Sequence, residues 1–439
     1  DDDAVRAADE DAMHFEDMNP DVLELLDEMK HDEEEEAQRV AQEKQAKGGW
    51  LSAGGSMAKK MGGYGVAGVK KLVGGSARLA WSTTKWAWGK ASGSGTPKLS
   101  KEEQEQLDEM MARIMATRRE DAAQEGGIRC TDHKIIREQR SIVTEVIKQM
   151  GRNILKGKDL LYVTFPVRCS QPRSVLQIIC NQSSYSPNFL PKAAGEKDPL
   201  ERFKLVVAYY LAGVHCSTGE WFKPLNPVLG ETYQACLDDG TSIFMEQTSH
   251  HPPVTSWQVF GPQREFSFYG HVQYAASFGY NKLRVTHSGR RVLEFADGGK
   301  ICFTNPSDVF SNVFWGEPRH ETLGTVTLSD EANGLSCDLE FAPDPQLPSD
   351  FVVGDIVKAP ASEGEEPEVV ASVEASWLGF VDIDKKRYWD IHSFERHPPQ
   401  PAENPLPSDS RFRRDLILLK EGDLEAAQVA KIEIEERQR

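Results

Sequence analysis

The 439-residue sequence predicts an α+β protein, mainly β, organised around one large antiparallel sheet with helices before and after it. Three observations carry this expectation. Strand-like runs separated by turn residues recur between about residues 231 and 394, the pattern of hairpins in series. A sheet of that many strands tends to curl into a barrel as its twist accumulates. Apolar residues at helical spacing lie ahead of these runs, and the end of the chain from about Arg414 reads as a highly charged helix.

The elements follow in order. Residues 1–47 hold 18 acids and 5 bases, with a run of five acids at Asp32–Glu36, and read as an acidic disordered arm. Residues 48–98 hold 8 bases and no acid. In this segment Trp50, Trp81, Trp86 and Trp88 interleave with Lys59, Lys60, Lys70 and Lys71. Indole rings favour the headgroup level and lysines are drawn to anionic lipid, so the segment is expected to be a lid or a membrane-contact surface. A flexible Gly-rich linker is the competing reading.

A connecting helix is expected within residues 99–130. Ser100-Lys101-Glu102-Glu103 forms a capping box, and Leu107, Met110, Met111, Ile114 and Met115 form one apolar stripe. A second amphipathic stretch spans about 134–156 with Ile142, Val146, Ile147, Met150 and Ile154. Phe203–Val214 reads as a buried helix. Glu231–Leu237 and Thr241–Gln247 form a hairpin about Asp238-Asp239-Gly240. Leu283–Thr286, Val292–Phe295 and Ile301–Thr304 form a three-strand meander. Thr322–Leu328 pairs with Leu335–Phe341 around Asn333-Gly334, and Val369–Val381 with Arg387–Phe394. Residues 361–368 form an exposed loop, and Pro398–Pro407 an extended Pro-rich strap.

Composition narrows the function. The formal net charge of −18 disfavours nucleic-acid binding, which needs a basic surface. Seven cysteines at irregular spacing, with no CxxC, argue against a disulfide framework and a zinc site and for a reducing compartment. The opening Asp1-Asp2-Asp3 does not read as a signal peptide. The longest apolar stretch, Leu205–Val214, is too short to cross a bilayer, which takes about 20 residues. A cytoplasmic protein, peripheral at organelle membranes or contact sites, is expected. No cofactor or metal is called for, and no nucleophile elbow or phosphatase cysteine loop appears.

The most specific string is Met245-Glu246-Gln247-Thr248-Ser249-His250-His251-Pro252-Pro253. Proline after His251 restricts the backbone there, so the imidazoles are held rather than floppy. Successive strand residues point to opposite faces, so both rings reach one ligand only if the strand bulges or bends at its end. A structural turn with surface histidines is the plainer alternative.

The string resembles the EQVSHHPP signature of the oxysterol-binding-protein-related lipid-transfer family, with Thr248 in place of valine. Three further blocks match. They are Lys223-Pro224-Leu225-Asn226-Pro227-Val228-Leu229-Gly230-Glu231; Phe165-Pro166 through Gln171–Gln177, followed by Asp198–Arg202; and Leu406–Arg413, leading into the final Lys-Ile-Glu-Ile-Glu-Glu-Arg-Gln-Arg. The resemblance covers about residues 131–439.

It implies a near-complete antiparallel β-barrel around a lipid tunnel, with an N-terminal helical lid and C-terminal helices. It also implies non-enzymatic lipid transfer between membranes, in which phosphatidylinositol 4-phosphate is exchanged for a sterol or phosphatidylserine. The resemblance assigns inositol-phosphate contacts to Lys223, Asn226, His250 and His251, with Lys431, Glu435 and Arg439 added by the last helix. The last three are spaced i, i+4, i+8, a drift of about 80° around a helix, so they can face one pocket. A solvated helix laced by i,i+4 ion pairs is the alternative there.

Histidine contacts imply that affinity does not weaken from pH 8 to pH 6. Sterol carriage needs a deep polar group, expected in the Tyr209–Ser217 region, although Val214 and His215 depart from the sterol binders' pattern. In the arm, acids precede Phe15-Glu16-Asp17-Met18, which is similar to acidic-plus-phenylalanine motifs that dock on an endoplasmic-reticulum receptor; a plain solvating tail is the alternative. Two other functions stay open: a lipid-gated sensor or scaffold at membrane contacts, and a phosphoinositide hydrolase using His250 or His251.

Overall fold

A computed structural model of the chain describes residues 30, 31, 35, 101–150, 165–360, 362 and 366–438. The expected membrane-contact residues Trp50, Lys59, Lys60, Lys70, Lys71, Trp81, Trp86 and Trp88, and the expected phosphate ligand Arg439, lie outside these residues. So do Ser100 of the capping box and the Phe15–Met18 string.

Among the described residues, sixteen strands join in one sheet, and every pairing within it is antiparallel. From one edge, the order runs 386–390, 380–383, 368–376, 351–358, 335–341, 319–330, 300–303, 291–295, 266–279, 253–260, 242–250, 232–236 and 400–401. The two edges do not pair with each other, so the barrel is near-complete rather than closed. The helix Pro199–Val214 lies against the 386–390 edge, where Tyr388 donates to Glu201 (2.8 Å) and Lys204 meets Asp384 (2.8 Å). On the other side, its Arg202 reaches Asp297 in the 295–300 turn (2.5 Å). Asp198 caps this helix, accepting from the Leu200 N–H, and Pro199 occupies its first turn, where a missing donor costs nothing. Phe203, Val206, Val207, Leu211 and Ala212 are fully buried, as the unbroken apolar run requires.

The hairpins about Gly240 and Asn333-Gly334 form as expected. Two expectations are corrected. Residues 282–288 and 291–295 do not pair with each other. Both pair with the fourteen-residue strand 266–279, one along each half. The chain crosses from one half to the other at Gly289, where φ is 137° and a Cβ would lie 2.2 Å from the His271 carbonyl oxygen. Ser288-Gly289 is therefore a kink within a continuing direction, not a reversal. Residues 368–390 form three strands rather than one hairpin, because the chain turns twice, at 377–379 and 384–385. Positive φ at Asp384 (51°) and Lys385 (64°) makes the second turn.

The helix Lys101–Thr117 packs on the outer wall of the barrel. Ile114 is fully buried with Phe351, Phe380 and Leu347, and Leu107, Met110 and Met111 pack against them. Met115 departs from the expected stripe and is 44% exposed. The chain then enters the sheet as a short strand, Ile128–Arg129, on His320 and Arg319. A buried pair, Arg118 to Asp350 (2.8 Å), fixes this entry. The second amphipathic helix runs His133–Met150 and turns Ile142 and Val146 inward. At the C-terminus, two helices, Arg414–Glu421 and Leu424–Gln438, are separated by Gly422 in the left-handed region (φ 84°).

Candidate functional site

The barrel holds a partly open cavity of about 370 Å³. Its wall is predominantly apolar, with Trp257, Val272, Leu283 and Val285 from the strands and Ile178 and Ile179 from the helix region around residue 178. The helix His133–Met150 contributes Ile135, Ile136, Ile142 and Val143, so this helix covers the cavity. Arg140 fixes it there by donating to the Gly316 carbonyl.

Four of the expected contacts, Lys223, Asn226, His250 and His251, meet on the wall of this cavity. The strand 242–250 shifts register between Gln247 and Ser249, which supplies the required bulge. His250 pairs with Pro253, and His251-Pro252, a cis peptide, forms the turn. Both imidazoles thereby come to one end of the cavity, with ring centroids 4.7 Å apart. Burial and the neighbouring His251 push the His250 pKa down, so the ring is neutral near pH 7, and its Nδ1 has no partner among the described residues.

Lys223 lies on a short strand, 223–225, that pairs in parallel with 170–174. Its ammonium donates to the Asn226 side-chain oxygen at 2.5 Å. Burial, followed by the nearby cation of Lys431, lowers its pKa to about 8 against the pull of Cys169 and Glu435. Lys431 and Glu435 themselves are not on the cavity wall. They pair with each other at 2.5 Å on the last helix, and their charges are felt at Lys223. The i,i+4 ion pair of the plainer reading is thus present, and it stands next to the site.

Arg413 received no role from the sequence, although it lies in a matching block. Its side chain is 9% exposed and donates to the Asn226 carbonyl (2.7 Å), to Glu231 (2.8 Å) and to Asp415 (2.6 Å). Glu231 in turn accepts from the Val228 N–H (2.9 Å) and from Ser410 (2.6 Å). This network sets the 226–231 loop that presents Asn226. One signal was present in the sequence: the two blocks that supply Arg413 and Glu231 each carry charge beside apolar residues, as buried ion pairs do.

A recess of about 40 Å³ adjoins the cavity and shares Gln182, Ser217, His287, Arg291 and Asp308 with it. Tyr209, Tyr210, Gly213 and Val214 line it, so the expected polar region lies where the Tyr209–Ser217 segment meets the barrel. Among the described residues, no group of three or more His, Cys, Asp or Glu side chains could hold a metal ion. Nor is any described helix long and apolar enough to cross a membrane.

A mainly apolar, partly open cavity with a cationic and imidazole-bearing end defines a lipid-binding barrel. Comparison with known proteins agrees. A family profile described as oxysterol-binding protein matches residues 145–404. The chain is 33% identical to oxysterol-binding protein 9 of Dictyostelium discoideum over 337 residues, 72% of this chain and 78% of that protein. The fold is similar to that of Osh3 ORD from Saccharomyces cerevisiae, solved in complex with PI(4)P (TM-score 0.56, 22% identity, 67% of this chain and 82% of that one). It is also similar to the Osh1 ORD domain solved in complex with ergosterol (TM-score 0.54, 21% identity, 77% and 87%). The chain belongs to the oxysterol-binding protein family. It spans about a third of the length of the mammalian relatives numbered 6 and 8 that it matches.

Proposed function

We propose that this chain extracts phosphatidylinositol 4-phosphate from one membrane and exchanges it for a second lipid, a sterol or phosphatidylserine, carrying each in turn without bond chemistry. The observation that supports this reading is the convergence of Lys223, Asn226, His250 and His251 at one end of an apolar cavity. A phosphomonoester carries about −1.5 to −2 charges at pH 7, and an acidic protein needs a local cationic site to hold it. The ammonium of Lys223 supplies the charge, and the imidazoles supply donors to phosphate oxygens or inositol hydroxyls. Lys431 and Glu435, with Arg439 beyond the described residues, would tune that end of the cavity from the last helix.

The apolar wall replaces the bilayer interior. Each buried CH₂ is worth about 0.8 kcal/mol, so a 16-carbon chain costs on the order of 13 kcal/mol to expose to water. A carrier lowers that barrier. Leu229 and Phe412, from the loop and motif that frame the site, are exposed and suit insertion among headgroups. Within this reading, residues 48–98 add a membrane-surface segment and residues 1–47 an acidic arm for an endoplasmic-reticulum receptor. The protein then works peripherally at organelle membranes. The ligands named in the Osh3 and Osh1 structures agree with both halves of the exchange.

The test is mass spectrometry of the lipids that purify with the chain, compared between wild type and His250→Ala/His251→Ala. Inositol lipid is expected to drop several-fold in the double variant. Equal recovery would overturn the assignment of the Lys223 end of the cavity.

A further inference from the structure

One corner of the barrel rim carries aromatic and cationic side chains that the cavity does not use. The strand 266–279 pairs with 253–260 only as far as Gln273, so residues 274–287 run on past the His250–Pro253 turn as a hairpin of their own. Six residues at about 3.4 Å each carry its tip on the order of 20 Å beyond the last of those pairings. Leu283 and Val285 face the cavity, so the alternating Lys282 and Arg284 face outward. At the tip, Tyr280 and Trp315 are partly exposed, with ring centroids 5.3 Å apart. The Asn281 side chain accepts from the Phe314 N–H (2.9 Å), which ties the tip to the 312–316 loop. Arg140 of the covering helix 133–150 donates to the Gly316 carbonyl of the same loop. Tip, loop and covering helix therefore form one connected unit.

The acidic arm reaches this corner. Lys30 is the last lysine or arginine before the Asp32–Glu36 run, and its ammonium stands 6.0 Å from the centre of the Tyr280 ring, at the limit of a cation–π contact. Lys30, His31 and Glu35 are helical and exposed, and His31 meets Glu35 at 3.5 Å, one turn further on. Covalent reach alone keeps Asp32 and Glu33 within about 11 Å of Lys30. Carboxylates are thereby brought to the corner that carries Lys282 and Arg284, where attraction acts over a Debye length of about 8 Å. An exposed cation–π contact is worth about 0.5–1 kcal/mol and an exposed ion pair no more, so several weak contacts hold the arm and it leaves readily.

A membrane would claim the same surface. Tyrosine and tryptophan settle at the headgroup level, and lysine and arginine are drawn to anionic lipid at about 1 kcal/mol each. Five consecutive acids compete for those cations and are themselves repelled by an anionic surface. Resting on the exchange reading above only for the membrane as competitor, we propose that residues 30–36 are an intramolecular strap on the Tyr280–Trp315 corner, displaced when this rim engages an anionic membrane.

The test compares the full chain with two variants of equal charge. One removes the run at the corner (Asp32→Asn, Glu33→Gln, Glu34→Gln, Glu35→Gln and Glu36→Gln). The other removes five acids far from Lys30 in the chain (Asp1→Asn, Asp2→Asn, Asp3→Asn, Asp9→Asn and Glu10→Gln). All ten positions precede the barrel in the sequence. In the first variant, hydrogen exchange of the amides in 279–284 and 312–316 is expected to speed up at least about threefold. Its sedimentation with phosphatidylcholine vesicles containing about one-third phosphatidylserine is expected to tighten at least about threefold. The second variant should match wild type in both. Unchanged exchange at the corner overturns the strap, as does vesicle binding that rises equally in both variants or in neither. Extraction of phosphatidylinositol 4-phosphate by the same preparations separates the two readings. Its absence beside both expected changes removes the exchange function alone, and its presence beside unchanged exchange at the corner removes the strap alone.

Discussion

Raising the pH above neutrality should release the phosphorylated headgroup through one side chain, Lys223. Its pKa is about 8 because burial and the Lys431 cation disfavour its charge. At pH 7 about nine-tenths of the molecules carry a charged Lys223, and at pH 9 about one-tenth do. A bound phosphate dianion favours the ammonium and returns its pKa toward the ordinary lysine value of about 10.4. Binding then takes up a proton, and affinity falls as pH rises through 8. The expected loss between pH 7 and pH 9 is about tenfold, or about 1.4 kcal/mol. Few other groups at the site blur this slope. The phosphate's second pKa is near 6, so it is about nine-tenths or more ionised across the window. His250 is pushed below its ordinary value and is already neutral. Arg413 stays charged throughout. The assay is extraction of phosphatidylinositol 4-phosphate from vesicles at a series of pH values, for wild type and Lys223→Met. The variant should bind more weakly at pH 7 and show a flat profile from 7 to 9. A wild-type change under twofold would refute the reasoning, as would an equal fall in Lys223→Met.

Other perturbations have distinct readouts. Arg413→Met leaves Glu231 and Asp415 buried without their partner and should cost about 3–5 kcal/mol in urea unfolding, with weaker headgroup binding; a loss below 1 kcal/mol would mean the network is not structural. Ile114→Ala, on the outer wall, should cost about 2–5 kcal/mol in stability while leaving lipid selectivity unchanged, as measured by thermal unfolding and extraction in parallel. Ile142→Asp puts a charge on the cavity face of the helix 133–150 and should speed release of bound lipid to acceptor vesicles several-fold; unaltered release would show that this helix does not hold the cavity shut.

Much of the architecture was legible because short-range rules govern it. Asp238-Asp239-Gly240 and Asn333-Gly334 specify reversals through residues that tolerate positive φ, and both hairpins form at those places. The Leu107–Ile114 stripe identifies a helix with one buried face. The Ser288-Gly289 string misleads because a glycine there permits either a reversal or a kink. The choice rests on the partner strand 266–279, which is long enough to pair with both flanking segments. The same limit applies to function. The His250-His251-Pro252-Pro253 string marks a constrained pair of imidazoles, but the Gln247–Ser249 bulge that brings both to one cavity is a property of the pairing with 253–260.

The sequence by itself determined the class of protein: a barrel-forming run of hairpins, four ordered motifs, and an acidic chain that needs a local cationic site for any phosphate. Those are properties of composition and near neighbours, where propensity and periodicity act. Only the tertiary structure decided that the helix 133–150 covers the cavity, that Arg413 sets the loop bearing Asn226, and that Lys431 acts on Lys223 from outside the cavity wall. It also decided that Asp308, His287 and His320, from three separate strands, share one stretch of cavity wall. Interactions between residues far apart in the chain depend on register and packing, and no local pattern encodes the burial that lowers the pKa of a lysine.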